Sequence, residues 1–513
     1  MTAASTSAPS NVSGPSDPSG HDAPGRAVPR WPLALVLAVL LVGAVIAGNG
    51  KSSATNGINA KRASAEGTPR DAAAIAGTGA SSSAWYCPGP PPSPLLANAS
   101  ERLSVSNLEA KPVDVAVTVF GKKGLLTHSS LRAAARASTR IDPGKGVAEN
   151  NAIIVEPFAS RVAVEATSTG PNTFASAPCA TQPSPVWNFA SGTTVRGAED
   201  WIVIFNPFGD DAVVDMSFFT NAGLERPSAL QGMTIPRRSR IAIPVHDTER
   251  RQPFVATSIT ARTGRVVAQQ TVLFGPETGF TGQTRSLGAI VAGNQWVFAS
   301  GVTLPGVSRV IGISNPSDLD AQVDVQVAPM SNIVIEPITI AVPRQSAVNV
   351  QLGGCDAHSP PSCVRVPPNL AYSVVVRATH NVPVVAEDLT TSTSGRFRGA
   401  VAAMGGEAPS RTWVFARSRL TPEVRSQLDL LSTAGATVHA DVSFVAGGKE
   451  VAPADLQHIV VRAGVPLTIA LDTRPELNGI DAGVIVRADR PVFVERTILR
   501  LTGVSRGMGI PER

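Results

Sequence analysis

The feature that most constrains this chain is an internal repeat built on tryptophan. A Trp-x-Phe-Ala core recurs at residues 187–192, 296–301 and 413–418, and a degenerate copy begins at Trp85-Tyr86-Cys87. Successive tryptophans are 102, 109 and 117 residues apart. A fixed period implies a recurring structural unit, and periods of 20–50 residues indicate solenoids or propellers. A period above 100 residues instead predicts four similar domains.

Alternating valines predict the strands of each unit. Val113, Val115, Val117 and Val119 alternate with other residues, and 323–327 repeats the pattern. Period two is typical of a half-buried strand. Several strands close on an Asn-Pro or similar pair, where the Asn side chain is expected to bond its own turn. Each unit is therefore predicted to hold about seven short strands, the usual number for a small sandwich.

This length and strand density predict an all-β chain of tandem immunoglobulin-like β-sandwich modules. The main rival is a propeller, whose blades repeat at less than half this period. A smaller number of domains, with strands shared between neighbouring units, is the other alternative. The predicted modules are residues 85–184, 185–292, 293–408 and 409–513.

An apolar run at residues 31–48 predicts export through a membrane. Its 18 residues would make a helix of roughly 27 Å, which just spans a bilayer core. Arg26 and Arg30 precede it, which favours an inside N-terminus and an extracytoplasmic C-terminal region. The alternative is a signal peptide cleaved after Ala47. Flanking Ser, Ala and Gly predict a disordered cytoplasmic tail at 1–30 and a flexible stalk at 49–84.

Charge argues against a nucleic-acid partner. The net charge of +5 is spread over 513 residues, and aromatic residues make up only 5% of the chain. Nucleic-acid binding usually needs a focused basic face, often with stacking rings. The mild positive charge is compatible with weak attraction to anionic envelope polymers or lipid headgroups.

Four cysteines in the exported region predict two disulfides, for which three pairings are possible. Cys355 and Cys363 flank a short Pro-rich loop and are expected to pair locally, which leaves Cys87 with Cys179. By the chain-entropy model the larger loop would contribute about 4–5 kcal/mol and the smaller about 2–3 kcal/mol. A zinc site is the alternative, but the ligand spacing is wrong and only His358 lies nearby.

The repeated tryptophans have two interpretations. Trp187, Trp296 and Trp413 are predicted to cap the core of each sandwich. Alternatively, they form a row of platforms on which sugar rings stack, which would require all three rings to be exposed. The two interpretations therefore make opposite predictions about burial.

No pattern of catalytic, cofactor-binding or metal-ligating residues emerges from the sequence. Gly-x-Ser-x-Gly, His-Glu-x-x-His and Cys-x-x-Cys are absent, and the seven His are scattered singly. Glu387-Asp388 and Glu495 lie at equivalent strand ends, where they are predicted to be surface charges. A carboxylate pair for glycoside hydrolysis is the sharper alternative. The chain is therefore predicted not to be an enzyme and to need no cofactor.

The chain resembles DUF5719, a family of actinobacterial exported proteins of unknown function. The resemblance is carried by Trp85-Tyr86-Cys87-Pro88, by Cys179, and by the stretches 187–193 and 204–207, and it extends from residue 85 to the C-terminus. Asn188 and Ser191 stand where the family is expected to have Tyr and Gly. The resemblance implies a membrane-tethered exported protein and supports the Cys87–Cys179 pair, but implies no activity. The family's association with large membrane glycosyltransferases suggests work in envelope glycan assembly.

These observations favour a structural or interaction protein, anchored through 31–48, that contacts an envelope glycosyltransferase, another membrane protein or an envelope polysaccharide. The alternative is an array of carbohydrate-binding modules. An enzyme would need a cleft between units into which polar groups converge.

Overall fold

The valine-rich segments form paired β-strands in all four repeats. The structure is a computed structural model that describes residues 70–77, 80–121, 124–143, 151–159, 161–395, 398–418, 421, 424–472, 474, 477 and 479–512. All of them lie in one compact unit, Pro69–Arg513. We call the four repeats modules 1 to 4. The predicted segment 31–48 and the tail 1–30 lie outside the described residues.

Modules 1 and 2 each fold into two sheets. Module 1 has a 3-10 turn at Pro94–Leu96 and the strands β1 (Trp85–Cys87), β2 (Ser100–Asn107), β3 (Val113–Gly121), β4 (Gly124–Ala133), β5 (Ala137–Ile141), β6 (Ala152–Pro157), β7 (Val162–Thr169) and β8 (Phe174–Pro178). Module 2 has helix α1 (Val245–Thr248), 3-10 turns at Ser228–Leu230 and Pro276–Thr278, and the strands β9 (Val186–Phe189), β10 (Ala198–Asn206), β11 (Ala212–Thr220), β12 (Gly223–Glu225), β13 (Met233–Ile235), β14 (Ser239–Pro244), β15 (Ala256–Thr263), β16 (Val267–Phe274), β17 (Gly282–Gln283) and β18 (Ser286–Leu287).

Modules 3 and 4 repeat the plan. Module 3 contains β19 (Gln295–Phe298), β20 (Val307–Asn315), β21 (Ala321–Pro329), β22 (Ile338–Val342), β23 (Ser346–Leu352), β24 (Cys363–Val364), β25 (Tyr372–Ala378), β26 (Val385–Ser392) and β27 (Gly399–Met404). Module 4 has a 3-10 turn at Ala454–Leu456 and the strands β28 (Ser410–Ser418), β29 (Val424–Leu431), β30 (Val438–Ala446), β31 (Lys449–Val451), β32 (Ile459–Val461), β33 (Leu467–Ala470), β34 (Ala482–Arg500), β35 (Gly503–Met508) and β36 (Ile510–Pro511).

The strand order is equivalent in every module. One sheet joins the tryptophan strand to the valine ladder, as in β1-β6-β3-β4 and β19-β25-β21-β22. The other ends on a late strand, as in β5-β2-β7-β8 and β24-β23-β20-β26-β27. In module 4 the long β34 crosses from one sheet to the other and unites both into nine strands. The described part of the chain is therefore all-β, with a two-sheet unit repeated four times.

The predicted cores form as the alternation indicated. The valines of the two ladders, 113–119 and 323–327, are at most 6% exposed. The repeated tryptophans are buried as well, with Trp187 0%, Trp296 3% and Trp413 2% exposed. Each indole N–H donates a hydrogen bond to a backbone carbonyl, that of Val266, Val384 or Val492. The interpretation of these rings as exposed sugar platforms is therefore wrong.

The strand-closing Asn residues bond their own turns, as the sequence predicted. The Asn206 amide donates to the carbonyls of Asp210 and Ile235, while its Oδ1 accepts from the Phe208 amide. Asn107 and Asn315 make equivalent contacts. These side chains satisfy backbone groups that the turn would otherwise bury without partners.

Both predicted disulfides are present. Cys87 is bonded to Cys179 and Cys355 to Cys363. The zinc alternative is therefore wrong, since these thiols are all consumed. Among the residues that the structure describes, no group of His, Cys, Asp and Glu is arranged to hold a metal ion.

The predicted flexible stalk ends earlier than residue 84. Ile75 is only 1% exposed, its amide donates to the Pro511 carbonyl, and it forms a parallel bridge with Glu512. The Thr181 amide donates to the Ala72 carbonyl. The prediction was wrong for this segment because Ser and Ala composition does not reveal backbone pairing with distant strands. No helix in the described part of the chain is long and apolar enough to cross a membrane.

The four modules close into a ring around their late strands. These strands (β8 in module 1, β17 and β18 in module 2, β27 in module 3, β35 in module 4) contact one another in cyclic order. The contacts are tight: a Cβ on Gly282 would lie 3.0 Å from the Ala400 amide, and one on Gly399 would lie 3.2 Å from the Gly503 Cα. A Cβ on Gly503 would lie 2.9 Å from the Phe174 amide, which joins module 4 back to module 1.

Candidate functional site at the module junctions and the ring axis

One polar residue recurs at the same place in all four modules. In each module it directly follows three apolar residues, on the strand that precedes the late strand. It is paired with a residue of the neighbouring strand, and that residue lies three positions before the Asn or Ser that closes the strand. We call these the junction residues: Glu165, Gln269, Glu387 and Glu495. Each is at most 3% exposed.

The junction residues bind the backbone of the preceding module, just after its repeated tryptophan. Glu387 accepts the amides of Ala190 and Ser191, at 3.0 and 3.1 Å. Glu495 accepts the Ser300 amide at 2.9 Å. The Trp-x-Phe-Ala motif therefore has two parts: the tryptophan caps its own core, and the following amides dock onto the next module.

The same contact closes the ring. Glu165 of module 1 accepts the Ala416 amide of module 4 at 3.0 Å. Its other oxygen accepts from Arg496 at 2.8 Å. Module 4 is thus attached to module 1 as module 2 is to module 3.

The junction between modules 1 and 2 replaces the carboxylate with an amide. Here the position of Ala190 is taken by Pro88, which has no N–H to donate. The junction residue is Gln269, whose Nε2 donates to the Gly89 carbonyl at 3.3 Å. A carboxylate at this position would lack the hydrogen bond that the Ala190 amide supplies to Glu387. The amide of Gln269 instead donates a hydrogen bond of its own.

The junction between modules 2 and 3 holds carboxyl groups away from cations. Burial raises the pKa of Glu387 to about 8, against the hydrogen bonds from the Ser191 and Ala190 amides that lower it. Burial likewise raises the pKa of Asp200 well above its usual value. Asp200 accepts from the Gln270 side chain at 3.0 Å. The backbone is close-packed here, since a Cβ on Gly312 would lie 1.9 Å from the Ala190 carbonyl oxygen.

The junction between modules 3 and 4 contains a buried ion-pair network instead. Asp388 binds Arg309 of its own module and Arg506 of module 4, the latter at 2.8 Å. Arg506 also lies 3.5 Å from Glu495. Burial alone lowers the pKa of Arg309, but Asp388 and other neighbours raise it on balance. Burial raises the pKa of Glu495 to about 7, and the two arginines limit that rise.

The predicted surface charges at strand ends were therefore misassigned. Glu387, Asp388 and Glu495 are all 0% exposed. Their carboxyl groups point into contacts with other modules, which a reading of one strand at a time does not reveal. As they stand, they bind amides and arginines and are closed to a sugar substrate, so the glycoside hydrolysis alternative lacks an accessible carboxylate pair at these positions.

A cavity of about 140 Å³ lies at one end of the ring axis. Segments of all four modules line it together with residues 70–73, and its larger side chains are Arg70, Arg285, Trp296, Glu407, Trp413 and Arg506. Arg70 donates to Glu407 at 2.6 Å, and Arg285 forms two hydrogen bonds with Glu101, at 2.6 and 3.0 Å. The start of the described chain therefore covers the axis at this end.

The sequence carried one signal of these contacts. The runs Val162-Ala163-Val164, Val266-Val267-Ala268, Val384-Val385-Ala386 and Val492-Phe493-Val494 each precede a Glu or Gln. A polar residue repeated after three buried apolar residues indicates a buried partner. The arginines Arg285, Arg309 and Arg506 have no such repetition and were missed.

Comparisons with known proteins give weak similarities. No family model and no curated protein sequence matches the chain. A crystal structure of Thermotoga maritima 1070 aligns with 22% of this chain and 94% of its own, at 15% identity and a TM-score of 0.19. The crystal structure of a tetra-tandem repeat in the extending region of a large adhesion protein aligns with 84% of this chain and 99% of its own, at 13% identity and a TM-score of 0.11.

Proposed function

We propose that this chain is a non-enzymatic, membrane-anchored interaction protein of the cell envelope, whose ring presents a rigid surface to a protein or polymer partner. The observation that carries the proposal is the ring closure, in which Glu165 receives the Ala416 amide of the last module at 3.0 Å. A closed ring fixes the relative positions of its modules, and a preorganised surface loses less conformational entropy when it binds. We further propose that the modules are immunoglobulin-like sandwiches.

An extracytoplasmic location is supported by two features. The disulfides Cys87–Cys179 and Cys355–Cys363 are of a kind that persists in oxidising compartments. The apolar run 31–48 is long enough to serve as an anchor. The partner is proposed to be an envelope glycosyltransferase or other membrane protein, or an envelope polysaccharide.

The test is crosslinking in membranes followed by affinity purification of the full chain and mass spectrometry. Gly503→Val opens the ring, since its side chain meets the Phe174 backbone and the residue has a φ of 153°. We expect it to remove most partner crosslinks. Gly507→Val is the matched control on the same strand, because a Cβ there meets no atom within 4 Å.

Circular dichroism and disulfide mapping check whether both variants retain folded modules. Equal partner crosslinks from the wild type and Gly503→Val would show that the ring is not the binding surface. Absence of any specific partner from wild-type membranes would also contradict the proposal.

A further inference from the structure

The junction that closes the ring contains a groove lined by arginines from both its modules. Arg102 and Arg140 come from module 1, and Arg417 and Arg500 from module 4. The groove encloses about 190 Å³ and is also lined by Thr167, Thr169, Phe174 and Ser176. We call it the arginine groove.

The corresponding positions of the other modules are uncharged. On strand β2, Arg102 is paired with Thr167 of β7. Arg140 of β5 is paired with Ser104 of β2, the residue that is also paired with Glu165 of β7. By the same register, the equivalents of Arg102 and Arg140 are Trp201 and Ala242 in module 2, Val310 and Asn349 in module 3, and Gln427 and Thr468 in module 4. The concentration of positive charge is thus a property of this junction and is not required by the fold.

The charges in the groove are only partly balanced. Arg417 binds Asp481 at 2.6 Å, and Arg500 lies over the Phe174 ring, 4.9 Å from its centre. The Arg102 Nε is buried and has no hydrogen-bond partner. Within the described residues no carboxylate forms an ion pair with Arg102 or Arg140.

The pKa of Arg140 agrees with a groove whose positive charges are only partly balanced. Burial and then the nearby Arg102 and Arg417 guanidinium groups lower the pKa of Arg140, while Asp481 and Asp142 act in the opposite direction. Arg140 therefore experiences a positive environment. Like charges brought together in this way are destabilising unless an anion neutralises them.

We propose that the arginine groove binds the phosphoryl group of a phosphomonoester. A phosphomonoester carries a charge of about −1.5 to −2 and three acceptor oxygens. Arg102 and Arg140 supply two positive charges without a bound carboxylate, which matches the charge of the group, and their guanidinium groups carry enough N–H donors to reach all three oxygens. A carboxylate has two oxygens and is satisfied by a single guanidinium fork, which leaves the second arginine unpaired.

The test is calorimetric titration of the full-length chain in detergent with glucose 6-phosphate, inorganic phosphate and glucuronate. We expect glucose 6-phosphate to bind and glucuronate to bind at least tenfold more weakly. Arg102→Gln combined with Arg140→Gln should weaken binding by about 100-fold or more, since loss of each charge-assisted contact weakens binding about tenfold or more. Arg132→Gln removes the same charge from an exposed pair with Asp114 and should change binding less than twofold.

Thermal unfolding separates a binding role from a structural one. Without ligand, the double variant should unfold at the same temperature as the wild type or higher, because repulsion is relieved, and glucose 6-phosphate should raise only the wild-type temperature. Equal affinity for inorganic phosphate supports the phosphoryl site and identifies free phosphate as its source.

The proposal is overturned if neither phosphate compound binds at millimolar concentration in tenfold excess over the protein. It is also overturned if glucuronate binds as tightly as glucose 6-phosphate, or if Arg132→Gln weakens binding as much as the double variant does. A lower unfolding temperature of the unliganded double variant, with binding retained, would also overturn it. None of these measurements requires the envelope partner, so this site and the proposed function fail separately.

Discussion

Two junctions of the ring use the same backbone contact in opposite electrostatic settings. At the junction of modules 2 and 3, Glu387 accepts two amides, and Asp200 is the other buried acid nearby. At the junction of modules 3 and 4, Glu495 accepts one amide beside Arg506 and Arg309. The fold therefore fixes where the junction residue lies, while the neighbouring side chains decide its charge.

This difference determines how much stability a substitution removes at each junction. A neutral carboxyl group at the first junction needs only hydrogen bonds, because no charge is buried there. At the second junction, removing one member of the network leaves other charges uncompensated. Substitutions at the two junctions should therefore differ in how much stability they remove and in how that loss depends on pH.

The largest effect is expected from Asp388→Ala at the junction of modules 3 and 4. The change leaves Arg309 and Arg506 without their shared carboxylate, and breaking a buried pair in this way costs about 3–5 kcal/mol. Denaturant unfolding measures the loss. Asp114→Ala, which breaks an exposed pair with Arg132, should cost less than about 1 kcal/mol. Equal losses would mean that the buried network does not stabilise the ring.

The next effect is a pH dependence at the junction of modules 2 and 3. The pKa of Glu387 is raised from 4.5 to about 8, so the folded protein holds a proton that the unfolded chain releases. Its contribution to stability is complete below about pH 4.5 and is lost as the pH rises to about 8, with a slope of at most about 1.4 kcal/mol per pH unit.

Glu387→Gln should therefore flatten the stability profile up to about pH 8, and the exposed control Glu156→Gln should not. For Glu495 the corresponding loss ends near pH 7, because its raised pKa is only about 7. Denaturant midpoints measured from pH 4 to pH 9 check both windows. A profile that Glu387→Gln leaves unchanged would contradict the buried neutral carboxyl group.

A smaller effect tests why the junction of modules 1 and 2 uses an amide. Gln269→Glu places a carboxylate against the Gly89 carbonyl where Pro88 cannot donate, and an unsatisfied buried group costs about 1–3 kcal/mol. Pro88→Ala restores an N–H, so the double variant should recover part of that loss. The double-mutant cycle measures the coupling. Additive losses would show that the two positions do not interact.

The local fold could be predicted because its causes lie close together in sequence. The alternation of Val113 to Val119 determines which face is buried, and the strand-closing Asn206 and Asn315 bond their own turns. Cys355 and Cys363 lie close enough in sequence to indicate their pairing. The repeated tryptophans were predicted to cap their cores, and each buried indole N–H has the hydrogen-bond partner that a buried Trp usually finds.

The junctions could not be predicted in the same way. Glu387, Asp388 and Glu495 resemble ordinary surface charges when one strand is considered alone, because their partners lie about 80 to 200 residues away. The ring itself depends on packing between repeats, which the period does not encode. Ile75 was assigned to a stalk for the same reason, since its partner is near the far end of the chain.

The measurement that tests the ring most directly is a disulfide between its first and last modules. The Ser505 hydroxyl lies 3.1 Å from the Ser176 amide and 3.0 Å from its carbonyl oxygen. In the full chain carrying Ser176→Cys and Ser505→Cys, mild oxidation should form an intramolecular crosslink that mass spectrometry identifies, with neither single variant showing it. If those two thiols are linked neither by oxidation nor by a short bifunctional maleimide while both native disulfides form, modules 1 and 4 do not meet and the chain is an open row.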